Sequence, residues 1–544
     1  MLFNSYEFAF GFLPLTLLIF YVLGRLSRTW ALGWIIVASL GFYAWWRPLN
    51  VAIIAPSIAI NFIVARLLCR WRKEERSRTA MRVLLTAGII FNVAFLGYFK
   101  YTDFLIGATN DLFGTQFALM HIVLPLAISF ITFQKIAFLI DVHGGRVESF
   151  SLRDYCLFVL FFPQLIAGPI VHYREVMPQF HAASCRFNAT DASVGLTLFV
   201  FGLFKKVILA DGLSPWVSML YGKAASGAHM SLVPAWLAAV GFTLQIYFDF
   251  SGYTDMALGL GRFFGIRLPA NFDSPLKAPN IMEFWLRWHM TLTRFLTAYI
   301  YNPLTLALTR RRMAAGLPVL SARKTGVGTF TALLAFPTLL TMLVSGIWHG
   351  AGYLFMLWGL LHGVYLTINH AWRRIRTTSH DAASGTGRLW RPLSVALTFV
   401  SVAASMVLFR STNWRSAREI LSGMIGVHGI GLPARIMEGL GPLSALLRAG
   451  GVRIDSAWSA TDLVQMALWC GGLLGIALFC PNSLQLMNSY DPALARRITA
   501  PAKFVGIARL AWNPSLPWAV AASLLAVIAV VRLAGPSEFL YWQF

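Results

Sequence analysis

Apolar stretches near the ~20 residues a helix needs to cross a bilayer follow one another almost without pause along this chain, and they leave it little else to become. They fall at about 8–24, 30–46, 51–68, 81–99, 118–141, 154–171, 193–211, 231–248, 290–308, 327–347, 351–371, 392–409, 462–480 and 516–534. Several are short or interrupted by Pro and Gly. A broken backbone at membrane depth is tolerated only where protein buries it, so some of these stretches are expected to be re-entrant or interfacial. Charged residues make up only 12% of the 544, whereas soluble domains carry about 25%. The sequence therefore predicts an all-α, polytopic transmembrane helical bundle. It is read as a single membrane domain over 1–544: a core over 1–370, a basic linker over 371–391 and C-terminal helices over 392–544. Met1–Glu7 lacks the basic segment of a cleavable signal, so the first apolar run is expected to stay as a span.

The formal net charge of +23 sits in the loops between apolar runs, as the positive-inside rule requires, and no nucleic-acid-reading motif accompanies it. The bilayer is the expected partner, and nucleic acid is not. Basic clusters at Arg66–Arg82, Arg310–Lys324 and Trp372–Arg391 are expected on the cytoplasmic side, with the N-terminus outside. The last two enclose a hairpin, 327–371, whose apex must point away from the cytoplasm. Gly346, Gly350 and Gly352 at that apex favour a broken, close-packed turn over a solvated loop. The Thr377–Gly387 stretch reads as a flexible linker and 411–460 as a partly interfacial excursion. The five cysteines show no paired spacing, which points away from disulfides and thiolate metal sites.

Ionisable residues inside apolar segments are expensive and are functional candidates for that reason. His289, His349 and His362 lie in or beside apolar runs, flanked by Trp; His143, His172, His181, His229, His380 and His428 fall in loops. Read as one helix, Glu283–Leu296 pairs Glu283 with Arg287 on one face, with Arg294 further along it, and presents His289 on the other. Trp358, His362, Tyr365 and Asn369 form one helical stripe. That stripe should face a cavity or a neighbouring helix, and helix–helix hydrogen bonding explains it as well as catalysis does. His349, in the turn Ser345–Gly352, is the sharpest candidate, because imidazole can take a proton from a hydroxyl and return it to a leaving group. Within Gln245–Gly265, Ser251 or Thr254 would cap a helix carrying Asp255 in its first turn, whereas Asp249 precedes the cap and is a supporting candidate. No metal site is expected, since no HxxH or HExxH occurs.

The stretches 124–145, 161–180, 245–265, 271–304, 345–363 and 538–544 resemble the membrane-bound O-acyltransferase (MBOAT) superfamily, in the branch of the bacterial alginate O-acetylases, with the teichoic-acid D-alanyl transferases as a sister group. The resemblance implies short re-entrant or interfacial helices around a central tunnel. It places the family's catalytic histidine at His349 and a second at His289; beside them Trp348, Trp288, Asp249, His362, Tyr365 and Asn369 are read as supporting or substrate-binding candidates. It implies no bound cofactor, an acyl donor such as acetyl-CoA or another acyl thioester, and an exopolysaccharide acceptor such as alginate, reached directly or through periplasmic acetylation proteins. The location it implies is the bacterial inner membrane. The Arg-Asp step common in the family after the RWHM stretch is missing here, where the chain reads Phe295–Tyr301 without it. An acyl relay to a periplasmic partner, D-alanyl transfer and a non-catalytic transporter or flippase are the alternatives. The last would show repeated halves, and no internal repeat stands out.

Overall fold

Proline decides how the apolar runs become helices. Pro14, Pro303 and Pro337 each stand two residues past the end of a widened π turn: Glu7–Phe12, Thr297–Tyr301 and Thr331–Ala335. A proline in mid-helix has no N–H to give and its ring crowds the preceding turn. Widening that turn lets the helix run on, so the run over 290–308 and the one over 327–347 are not broken at their prolines.

The computed structural model describes residues 1–166, 168–321, 326–377, 390–455, 457–494, 511–535 and 540. Arg323 and Lys324, most of the 371–391 linker with His380, and the tail 538–544 apart from Leu540 lie outside the described residues. Among those described, 8 helices are long and apolar enough to cross a membrane: Glu7–Leu26, Leu49–Lys73, Arg78–Phe113, Ala189–Ala210, Leu232–Phe263, Val327–His349, Arg391–Arg410 and Ala460–Phe479. The Arg28–Ala44, Tyr353–Thr377 and Leu516–Val531 helices accompany them. The protein is an all-α, multi-pass membrane bundle; among the described residues two short strands, Gly431–Leu432 and Arg453–Ile454, pair in parallel in the 411–460 excursion.

Five readings of the sequence are corrected. Residues 114–127 are not helical and the buried Ile128–His143 helix starts only after them. The run over 154–171 divides into Leu152–Leu160 and Phe162–Leu165. Leu232–Phe263 is one unbroken helix, so neither Ser251 nor Thr254 caps anything. Glu283–Leu296 is not one helix: it breaks at His289, between Ile281–Arg287 and Met290–Leu296. His143 and His181, expected in loops, lie in the last turns of the Ile128–His143 and Tyr173–Ala182 helices.

Close backbone approach sets the centre of the bundle. A Cβ on Gly202 would lie 2.4 Å from the Gly252 carbonyl oxygen, and one on Gly259 would lie 2.4 Å from that of Gly195. Small residues at such spacing let two membrane helices touch along their backbones. That is the role of Gly259, and it positions the Leu232–Phe263 helix as the buried spine against which the functional segments pack.

Candidate active site

The Val327–His349 helix rises from the basic end of the molecule, where the Arg312 guanidinium donates to Thr329 Oγ1 at 3.2 Å. At about 1.5 Å per residue it climbs about 33 Å, enough to span the ~30 Å hydrocarbon core, and His349 is its last residue. Three orphan carbonyls at its end find partners on the Arg78–Phe113 helix. Tyr101 Oη donates to the Ile347 carbonyl at 2.6 Å, and Lys100 Nζ donates to the carbonyls of Trp348 and His349. A cation at a helix C-terminus also complements its dipole.

The turn that follows is as tight as the glycines suggest. A Cβ on Gly346 would lie 2.2 Å from the Phe355 carbonyl oxygen, one on Gly350 would lie 2.2 Å from the Phe355 ring, and one on Gly359 would lie 2.3 Å from the Met342 carbonyl oxygen. The Phe336–His349 and Tyr353–Thr377 helices therefore meet backbone to backbone just below the apex.

His289 reaches the same place from another segment. Its backbone is in the left-handed region, φ 42° and ψ 51°, which costs a non-glycine residue roughly 1–2 kcal/mol. Hydrogen bonds at the two residues that follow hold that conformation. Met290 N–H donates to the Asn271 carbonyl at 2.9 Å, Thr291 Oγ1 donates to Asn271 Oδ1 at 2.6 Å, and Ile170 N–H donates to Thr291 Oγ1 at 3.0 Å. The imidazole is fully buried, with the Phe250 ring 4.8 Å away edge-on.

The two imidazoles lie 6.3 Å apart, centroid to centroid. Around His349 stand Trp348 at 4.9 Å, Trp358 at 5.1 Å and Phe409 at 5.2 Å. Trp348 continues into a stack with Phe133, at 5.1 Å and 17°, and Phe133 stacks on Phe295 at 4.3 Å. Two buried imidazoles among aromatic rings can accept and return a proton, and such apolar surroundings would keep water from a reactive acyl group.

Not every sequence candidate joins them. His362 is fully buried and uses both nitrogens: Trp285 Nε1–H donates to its Nδ1 at 3.3 Å, and its Nε2 meets Ser405 Oγ at 2.9 Å. The Ser405 hydroxyl proton goes to the Val402 carbonyl at 2.7 Å, which leaves His362 Nε2 as the donor. His362 thus ties three segments together, and the hydrogen-bonding reading of its stripe holds for it. Tyr365 packs on it at 5.7 Å, with Asn369 half-buried a turn further on. Trp288 stacks on Phe284 in the layer behind.

Asp249 is in an ion cluster, with Lys206 Nζ 2.7 Å from its carboxylate and 2.6 Å from Asp211; only its neighbour Phe250 touches His289. Asp255 pairs with Lys205 at 2.6 Å and accepts from Ser483 Oγ. Glu283 pairs with Arg287 at 2.7 Å as read, but Arg294 turns to Glu175, also at 2.7 Å. Sequence reasoning missed Lys100, Tyr101, Phe133, Phe409, Asn271 and Thr291. A lysine within an apolar run was a usable signal for Lys100 and Lys206; the others carry none.

A model of the membrane-bound O-acyltransferase family, MBOAT, matches residues 145–322, which takes in His289 and its Asn271 clasp. A probable alginate O-acetylase of Azotobacter vinelandii is 33% identical over 557 aligned positions that cover 100% of both chains. The chain belongs to the MBOAT family. Within it, the chain is also similar to a peptidoglycan O-acetyltransferase of Helicobacter pylori, 38% identical over 79% of this chain and 81% of the relative. A probable alginate O-acetylase of Pseudomonas aeruginosa is 35% identical over 78% and 75%. As an MBOAT protein the chain is an O-acyltransferase, and the paired histidines are its candidate acyl-transfer centre.

Proposed function

We propose that this MBOAT protein carries an acyl group, acetyl, from a thioester such as acetyl-CoA on the cytoplasmic side to sugar hydroxyls of a polysaccharide outside the cytoplasm, from the inner membrane of a bacterium. The observation that carries the reading is the convergence of His349 and His289 in one aromatic chamber at the far end of a full-length span. The relatives' printed names, alginate and peptidoglycan acetylation, share the same acceptor chemistry, a carbohydrate hydroxyl.

His349 acts as general base. It takes the proton as the sugar oxygen attacks the thioester carbonyl; the carbon–sulfur bond breaks, and the departing thiolate receives that proton. A base so placed contributes about 10²–10⁴-fold. His289 positions the acceptor or shuttles the proton, and Trp348, Trp358 and Phe409 keep water away from the thioester. The test is mass spectrometry of polymer from cells carrying wild-type protein or His349→Ala at equal membrane levels. Acyl groups vanish from the polymer with His349→Ala if the reading holds; acylation at the wild-type rate refutes it. Loss of polymer export together with its modification would indicate transport instead.

A further inference from the structure

Away from the histidine chamber, three side chains that are scattered along the sequence converge on a point. His229 Nδ1 lies 3.0 Å from Glu419 Oε2, and His428 Nε2 lies 3.3 Å from the same oxygen. All three potential ligand atoms fall within 4.8 Å of one another, and the two rings are 4.7 Å apart. We propose that His229, Glu419 and His428 form a divalent transition-metal site, for zinc, with an open fourth position for water.

The spacing suits a metal as well as it suits the hydrogen bond that His229 Nδ1 makes with Glu419 Oε2. Bonds of about 2.0–2.1 Å in tetrahedral geometry set neighbouring ligand atoms about 3.3 Å apart, close to the separations found from the carboxylate to each imidazole. Two imidazoles from different loops converge on a single carboxylate oxygen, an arrangement that an ion between them would accommodate. Two nitrogens and one oxygen suit zinc. Among the described residues Ser422 Oγ, at 2.9 Å, competes for His428 Nε2, and that hydroxyl can turn to the Glu419 carbonyl 3.2 Å away. His229 is exposed at 75% of its side chain, so an ion can enter.

The site has a structural consequence. Glu419 lies on the Trp414–Met424 helix, which continues from the Arg391–Arg410 helix that brings Phe409 to His349. His229 lies in the turn leading into Leu232–Phe263, the spine of the bundle. A bound ion would clasp the wall of the chamber to that spine.

The experiment uses full-length protein in detergent, carrying no histidine tag and stripped with EDTA, titrated with Co²⁺ and then Zn²⁺. The expected result is one equivalent of Co²⁺ with the visible absorption of a tetrahedral ion, displaced by Zn²⁺, and a rise in melting temperature on adding Zn²⁺. His229→Ala, at an exposed position, keeps the fold and loses at least tenfold in affinity; Glu419→Gln does the same. Absence of tetrahedral Co²⁺ absorption, or binding unchanged in a His229→Ala/His428→Ala double variant, overturns the proposal. Neither readout depends on acyl transfer.

Discussion

Replacing Gly346 by alanine adds one methyl group at the closest approach of the two hairpin helices. That carbon would sit 2.2 Å from the Phe355 carbonyl oxygen and 3.1 Å from Gly359 Cα, where ordinary contact begins at 3.4 Å. The neighbours are backbone on both counts, so no side chain can swing aside, and the helices must part by about 1.2 Å. Overpacking of this kind costs about 1–3 kcal/mol, too little to unfold a bundle of this size. His349 lies less than one turn away and is displaced with the helix end. A misplacement of about 1 Å in a reacting group costs about 10²-fold. The expectation is therefore a protein that still inserts and elutes as wild type, with acyl transfer down about a hundredfold. Gly352→Ala in the same turn is the control, since its nearest neighbour, Phe355 Cδ2, is at 3.6 Å, and its activity stays within about twofold of wild type. Rates are read in membranes as acyl groups transferred to polymer per unit of protein. Near-wild-type transfer by Gly346→Ala would falsify the link between backbone contact and histidine placement.

Three further outcomes are expected. Lys100→Met removes the donors to the Trp348 and His349 carbonyls and lowers the transfer rate by about tenfold, whereas Tyr101→Phe, losing one neutral hydrogen bond worth about 1 kcal/mol, has a smaller effect; single-turnover rates separate the two. At 289, Asn tolerates the left-handed backbone and Val does not, so His289→Asn yields folded but slow protein while His289→Val reduces the yield of monodisperse protein on size exclusion. Asp249→Asn leaves the Lys206 ammonium short of a partner and lowers stability by about 3–5 kcal/mol. Combining it with Lys206→Met recovers part of that loss in thermal unfolding; strict additivity would show that the two do not interact.

The membrane class, the hairpin over 327–371 and its glycine-tight turn are legible because each is local: hydropathy, loop charge and glycine spacing all act within a few residues. His289 shows why a helical wheel fails. Nothing in Glu283–Leu296 breaks a helix, and the break is imposed by Asn271 and the Ile170 amide, partners that become neighbours only in the folded chain. The same holds for Phe409 and Lys100 around His349. Asp249 was rightly singled out as a carboxylate in an apolar run, but its partner Lys206 lies far back in the chain, and without that partner the residue was drawn toward the histidines.

The charge pairs between Ala189–Ala210 and Leu232–Phe263 bear on how the chain is made. Along their contact the two helices carry complementary ions: Lys205 and Lys206 on the first face Asp255 and Asp249 on the second, and nearer the other end Asp191 on the first pairs with Arg262 on the second. A single charge at mid-membrane costs about 2.5–3.5 kcal/mol on insertion scales, so neither segment settles well in lipid by itself. Insertion of the first helix is therefore easier once the second is there to pair with it. The two then enter lipid as a neutralised pair, which makes 189–263 one unit of biogenesis.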